Sequence, residues 1–269
     1  MLARVYIKKG IKLNAALVSN AIPTRQTDQN RVFILMYHRV NSYRNNEISV
    51  TPTQFRNQLD WLNRQGFRHI SMAELESGLI TRADNSPRLI FTFDDGYEDN
   101  YVNALPILKE YGYTGIFYLA TNYIGTCKMY PRDIEESNRP EQNRIMNWSQ
   151  VLELLGEGME IGSHTMSHSI LTRISPEDAK REIIESKKKL EQKLQVEITS
   201  FCYPGSYFEE RHVLWVREAG YRSACSAAPG TWKGHDLFRI PRVPVLSSDI
   251  FFVFKQKLLG RMEWFRLIH

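Results

Sequence analysis

Two short runs in this chain carry side chains whose types and spacing could hold a divalent metal. Phe91-Thr92-Phe93-Asp94-Asp95-Gly96 sets two adjacent carboxylates at the end of an apolar segment, and His164-Thr165-Met166-Ser167-His168 sets two imidazoles four residues apart. Successive side chains on extended backbone point to opposite sides, so the neighbouring carboxylates can divide the work, one binding a metal while the other acts as a base. The His spacing predicts one helical turn with both rings on one face. Two imidazoles and one carboxylate leave coordination positions for water and substrate, the arrangement of a catalytic rather than a structural site. Either motif alone is weak, because Asp-Asp-Gly is most often a solvated turn. Their common setting is stronger: each directly follows an apolar strand, where α/β folds carry their active sites.

The elements that must position these groups are legible from patterning. Arg88-Leu89-Ile90-Phe91-Thr92-Phe93 reads as a buried strand, with Gly96 giving the backbone freedom for the turn that follows. Met159-Glu160-Ile161-Gly162-Ser163 reads as a second strand that delivers His164. Helical patterns over residues 53–65, 100–111, 151–155 and 176–194 alternate with strand-like runs over 116–120, 159–161, 198–203 and 221–224. That alternation predicts parallel βα units, and 269 residues with 42% hydrophobic and 24% charged content suit a single-domain α/β barrel. Residues 122–147 break the rhythm with polar, charged and proline residues, as a long surface excursion near the site would. Residues 26–30 and 84–86 are the other expected loops, and no internal repeat is visible. Cys127, Cys202 and Cys225 form an odd set without a Cys-x-x-Cys pair, which argues against a disulfide framework and fits a reducing compartment.

At these residues the sequence resembles the polysaccharide deacetylase family, also called the NodB-homology domain or carbohydrate esterase family 4, over about residues 32–245. The family's Thr-Phe-Asp-Asp-Gly motif is complete at residues 92–96 and its His-Ser/Thr-x-x-His motif at 164–168; Asn147-Trp148 and Leu171 also match. The resemblance implies a distorted (β/α) barrel of about seven strands, with Asp94 as general base and Asp95, His164 and His168 as metal ligands. The third family motif is looser here, since Phe201-Cys202-Tyr203-Pro204-Gly205-Ser206-Tyr207 lacks the usual Arg and has its Gly displaced. What the chemistry needs from that turn is an N–H aimed at a developing oxyanion, for which the Gly205 amide is the candidate, with Tyr207 as a pocket-lining aromatic. The C-terminal Leu-x-x-His that often supplies the acid is missing. Val32-Phe33-Ile34-Leu35-Met36-Tyr37-His38-Arg39-Val40 instead resembles the leading Tyr-His-x-Val strand of the poly-N-acetylglucosamine deacetylase branch, whose motif order is permuted, and so implies His38 as general acid. Arg242, within Phe238-Arg239-Ile240-Pro241-Arg242-Val243-Pro244-Val245, resembles a group that orients or tunes Asp94, because an Arg beside a carboxylate lowers its pKa. The implied cofactor is one divalent ion, zinc first, with nickel, cobalt and manganese also compatible with an Asp-His-His set.

Together these readings give a metal-dependent hydrolase that removes N-acetyl groups from an N-acetylated sugar or polysaccharide in bacterial surface glycan metabolism. A hydrolase of a non-sugar amide or O-acetyl ester is the rival of like chemistry, and a catalytically silent glycan-binding module is the rival of another class. Three segments are expected: a basic extension over 1–30, the catalytic domain over 31–246 and an amphipathic tail over 247–269. Residues 11–21 are interrupted by Lys12, Asn14 and Asn20 and make a poor signal-peptide core, and no segment is long enough to span a bilayer, so a cytoplasmic location is expected. The aromatic and basic run over 250–265 either packs back on the barrel or lies on the inner membrane face. The net charge of +5 suits acidic glycans or headgroups, and nothing resembles a nucleic-acid module.

Overall fold

A computed structural model describes residues 13–14, 31–42, 46–78, 86–136 and 139–259. The extension over 1–30 (apart from 13–14), the 26–30 loop, residues 84–85 and the end of the tail at 260–269 lie outside the described residues. In chain order the strands are β1 (Val32–Tyr37), β2 (Arg39–Val40), β3 (Ser49–Val50), β4 (Arg68–His69), β5 (Arg88–Phe93), β6 (Ile116–Leu119), β7 (Glu160–Ser163), β8 (Ser200–Cys202), β9 (Ser223–Pro229) and β10 (Ile240–Pro244). The helices are α1 (Pro52–Arg64), α2 (Met72–Ser77), α3 (Leu105–Glu110), α4 (Pro131–Glu136), α5 (Trp148–Gly156), α6 (Pro176–Leu194), α7 (Glu210–Glu218) and α8 (Phe251–Leu258).

Strands β1, β5, β6, β7, β8, β9 and β10 pair in parallel around a closed ring, with β10 returning to β1. The fold is the expected distorted (β/α) barrel of seven strands in one domain. Its distortion has a visible cause: β5 meets β4 at Arg88 and Leu89 but β6 only at Thr92 and Phe93, so two strands share one edge. The period-2 alternation of strand side chains divides the core in two. Phe33, Leu35, Tyr37, Leu89, Phe91 and Phe93 point outward and pack with Phe55, Leu59 and Leu62 of α1. Val32, Ile34, Ile90, Ile116, Tyr118, Cys202, Cys225 and Ile240 fill the barrel interior, where Met72 and Leu75 of α2 plug the end at which the strands begin. Helix starts follow the sequence closely, with capping boxes at Thr51/Gln54 for α1 and Asn147/Gln150 for α5.

Several local expectations are corrected. The apolar run over 32–40 is not one strand: β1 ends at Tyr37, and the chain resumes as β2, which leaves the ring and pairs with β3, so His38 sits at the break. The helix expected over 100–111 begins as a π-helical turn, Asn100–Ala104, because Pro106 lacks the amide that would continue regular α pairing. The proline-containing segment Ile240–Pro244 is a barrel strand, tolerated through a register shift against β9 around Pro241. Phe251–Leu258 is a helix that buries Phe254 against Trp61 of α1, so this part of the tail packs on the barrel. No helix among the described residues is long and apolar enough to cross a membrane.

Gly162 in β7 lies where a side chain has no room, since an added Cβ would come within 2.4 Å of the Tyr118 ring. Tyr118 is fully buried and cannot swing aside. Gly162→Ala is therefore expected to lower stability by about 1–3 kcal/mol or more through overpacking, measured as a reduced urea midpoint at unchanged slope.

Candidate active site

All the acidic and imidazole groups of interest gather at the end of the barrel where strands β1, β5, β7 and β8 finish. Asp94 continues the inward row of Ile90 and Thr92 and is 2% exposed. Arg242 reaches it from β10, and its Nη1 and Nη2 donate to Oδ1 and Oδ2, each at 2.7 Å. The same guanidinium donates from Nη1 to Thr92 Oγ1 at 3.0 Å and from Nε to the Ser226 carbonyl at 2.9 Å. Such a bidentate pair is both strong and directional. Burial alone would raise the Asp94 carboxyl, but the charge and hydrogen bonds of Arg242 outweigh it and hold Asp94 below the usual carboxylate range.

Asp95 lies just past the strand in a left-handed conformation, φ 73°, followed by Gly96 at φ 72°. This backbone is uncommon for a residue with a side chain. Tyr130 helps to fix it by donating from its hydroxyl to the Asp95 carbonyl at 2.7 Å. Asp95 Oδ1 faces His168 Nε2 at 3.3 Å and His164 Nε2 at 3.6 Å, while Oδ2 accepts from Arg132 Nη2 at 3.2 Å. Oδ1 is buried and has no hydrogen-bond partner among the described residues.

The two histidines do not lie on a helical turn. They flank a tight turn in which Thr165 has φ 66° and His168 φ 55°, and this turn brings the ring centroids to 4.8 Å. Its amides at Met166 and Ser167 donate to the nearly buried Glu182 of α6 at 2.7 and 2.8 Å. From the other side, Thr121 and Asn122 donate their amides to the Thr165 and Met166 carbonyls. His164 Nδ1 contacts the Cys202 carbonyl at 2.7 Å. A carbonyl only accepts, so Nδ1 carries the proton and Nε2 offers its lone pair toward Asp95, the usual support for a ligating imidazole. Burial pushes His168 down to about 4 even against the attraction of Asp95, so its ring is neutral and able to ligate.

Asp95, His164 and His168 thus fit a divalent ion by donor set and by the orphaned Oδ1. Asp94, His164 and Cys202 are also mutually close. That grouping is a poorer fit, because the Arg242 guanidinium already balances the Asp94 charge and burial keeps the Cys202 thiol protonated.

His38 Nε2 lies 4.0 Å from Asp94 Oδ2, with its side chain 15% exposed. Asn100 of the π turn holds the His38 carbonyl at 2.9 Å. Burial lowers the His38 pKa despite Asp95 and Asp94 nearby. Gly205 sits at φ 61° in the turn after β8, where Pro204 has no N–H and the Ser206 amide donates to the Tyr203 carbonyl. Tyr207 is 55% exposed and has Arg173 over its ring at 5.4 Å. Sequence reasoning missed Arg132 and Tyr130, which sit beside the acids without any motif of their own, and gave Cys202, within the third motif, no role at the site. The excursion over 122–147 was the available signal for the first two, since it brings α4 against Asp95.

A model of the family described as polysaccharide deacetylase matches residues 81–224, more than half of the chain and both complete motifs. The chain belongs to the polysaccharide deacetylase family. It is 28% identical over 225 residues to YxkH of Bacillus subtilis, covering 81% of this chain and 74% of the relative. It is 23% identical over 252 residues to a Staphylococcus epidermidis protein named poly-beta-1,6-N-acetyl-D-glucosamine N-deacetylase, covering 88% of this chain and 81% of that one. The fold is shared with the Streptococcus pyogenes deacetylase PplD, solved in complex with acetate, at a TM-score of 0.71 and 23% identity over 87% of this chain and 98% of that one. Family membership supports metal-using hydrolase activity in general.

Breaking the Asp94–Arg242 pair should be costly in a pH-dependent way. In the parent, the depressed Asp94 pKa contributes stability that is present above the unfolded carboxylate pKa and lost only as pH falls through the lower folded value. In Arg242→Met only the weaker pull of His164 and His38 is left against burial, so the folded pKa rises and the ionised form destabilises. A loss of about 3–5 kcal/mol is expected at pH 8, shrinking toward pH 5 as Asp94 protonates, measured by urea unfolding at both values.

Proposed function

We propose that this protein removes N-acetyl groups from an N-acetylglucosamine-containing polysaccharide of the bacterial surface, using a divalent ion held by Asp95, His164 and His168. The observation that carries the reading is the orphaned Asp95 Oδ1 facing two imidazole nitrogens, one carboxylate away from an Asp94 kept ionised by Arg242. The sugar is suggested by the substrate in the name of the staphylococcal relative. Placement of His38 ahead of the acidic motif supports the same branch.

A zinc-like ion held there would act as a Lewis acid on the amide carbonyl and lower the pKa of water. Asp94, charged through the neutral range, removes the proton from the attacking water. Arg242 occupies only one lone-pair site on each Asp94 oxygen, so each keeps another free for that proton. His38 receives at Nε2 the proton that Asp94 took from the water and passes it to the departing nitrogen, a transfer favoured by the burial that lowers its pKa. The 4.0 Å between His38 Nε2 and Asp94 Oδ2 lets the acid and base address one tetrahedral centre. The Gly205 amide is the donor assigned to the oxyanion and Tyr207 the aromatic assigned to the sugar face.

Metal-stripped protein reloaded with single metals should release acetate from N-acetylglucosamine oligomers and not from O-acetylated sugars or small acetamides. Release only from the esters would replace the proposed substrate class. Asp94→Asn should keep its metal while turnover falls by about 100-fold or more, whereas His168→Ala should lose both. Equal metal loss in the two variants would refute this division of roles. His38→Ala should retain metal and lose turnover, and near-normal turnover would place the acid elsewhere.

A further inference from the structure

Asp95 has two carboxylate oxygens and they do different things. Oδ1 faces the two imidazoles; Oδ2 accepts a hydrogen bond from Arg132, a residue of α4 in the long excursion. We propose that Arg132 is a positioning residue for the metal, holding Oδ2 so that Asp95 presents Oδ1 alone to the ion. This inference rests on the metal-centre reading above and adds a determinant of its coordination.

The excursion grips Asp95 twice. Tyr130 fixes its backbone through the carbonyl at 2.7 Å, and Arg132, two residues on, fixes its side chain at 3.2 Å. Arg132 is in turn braced. Its Nη2 also donates to the Tyr97 hydroxyl at 3.3 Å, and that hydroxyl donates to Asp133 Oδ2 at 2.8 Å. The Arg39 guanidinium stacks over the Tyr97 ring at 4.3 Å and ties this bracket to β2, which begins one residue after His38.

A carboxylate bound to a divalent ion can use one oxygen or two. With Oδ2 engaged by a guanidinium, Asp95 would offer an ion Oδ1 alone, which would leave room for water and the substrate carbonyl. Hydrogen-bonding partners of ligating carboxylates commonly govern metal affinity in this way. The opposite influence is also present: Arg132 is a cation beside a cation site, so charge alone would make its removal tighten metal binding. The two effects differ in sign, and the sign is measurable.

The test is titration of the metal-stripped full chain with Co2+, followed by visible absorption, for the parent, Arg132→Met and Arg132→Lys. Arg132→Met keeps the apolar stem and removes every donor. Its expected result is Co2+ binding weakened by about tenfold or more, with an altered absorption spectrum as the second oxygen enters the coordination sphere. Arg132→Lys restores a donor and should recover most of the affinity and the parent spectrum. A Met variant that binds Co2+ as tightly as the parent or more tightly, with the parent spectrum, would overturn the proposal and reduce Arg132 to a screened ion pair. Should the Met variant not fold, Arg132→Ala is read by the same two criteria. A parent that binds no Co2+ at all would instead refute the metal centre, an outcome distinct from failure of the Arg132 assignment.

Discussion

The interaction on which the rest of the site depends is the buried Arg242–Asp94 pair inside the closed barrel. Burying either charge alone is prohibitive, and the bidentate contact makes the combination tolerable only when both strands are in register. Asp94 directly follows β5 and Arg242 lies on β10, and both strands flank β1 in the ring. Closing the ring around β1 brings the two together and simultaneously sets His38, at the end of β1, beside Asp94. The pair therefore couples closure of the fold to the placement of Asp94 beside His38.

The proposed ligands are held by a different logic. Asp95, Thr165 and His168 all adopt left-handed backbone, which costs energy and persists only where surrounding contacts fix it. Those contacts are specific: Tyr130 on the Asp95 carbonyl, Glu182 on two amides of the histidine turn, and Thr121 and Asn122 on its carbonyls. The rigid strand ends supply coarse placement, and the turn contacts supply final orientation. Three left-handed residues are thus gathered at one end of the barrel, opposite the end plugged by α2.

The barrel interior also separates the electrostatic duties of two adjacent carboxylates. Asp94 points inward to the guanidinium of Arg242, and Asp95 turns toward two imidazoles whose pairing with it is incomplete. Neighbouring residues of one type thereby acquire unlike environments, which is how a single strand end can provide both a base and a ligand.

What the sequence determined by itself was the set of groups and their carriers. Complete motifs at 92–96 and 164–168, the apolar strands before them and the alternation of strands with helices sufficed for the barrel and for Asp94, Asp95, His164 and His168 as neighbours. These are local signals, written in side-chain period and in short spacings. Tertiary structure alone decided the rest. The His turn is held open by Glu182 and Asn122 rather than by helical hydrogen bonds, and no spacing of residues reveals that. Ile240–Pro244 is a barrel strand despite its prolines because the closing ring needs a seventh member and can absorb a register shift. Arg132 and Tyr130 reach Asp95 from an excursion with no periodic pattern, and Cys202 supports His164 through a backbone carbonyl, a group every residue possesses. Contacts between segments far apart in sequence depend on ring closure, which no local pattern encodes.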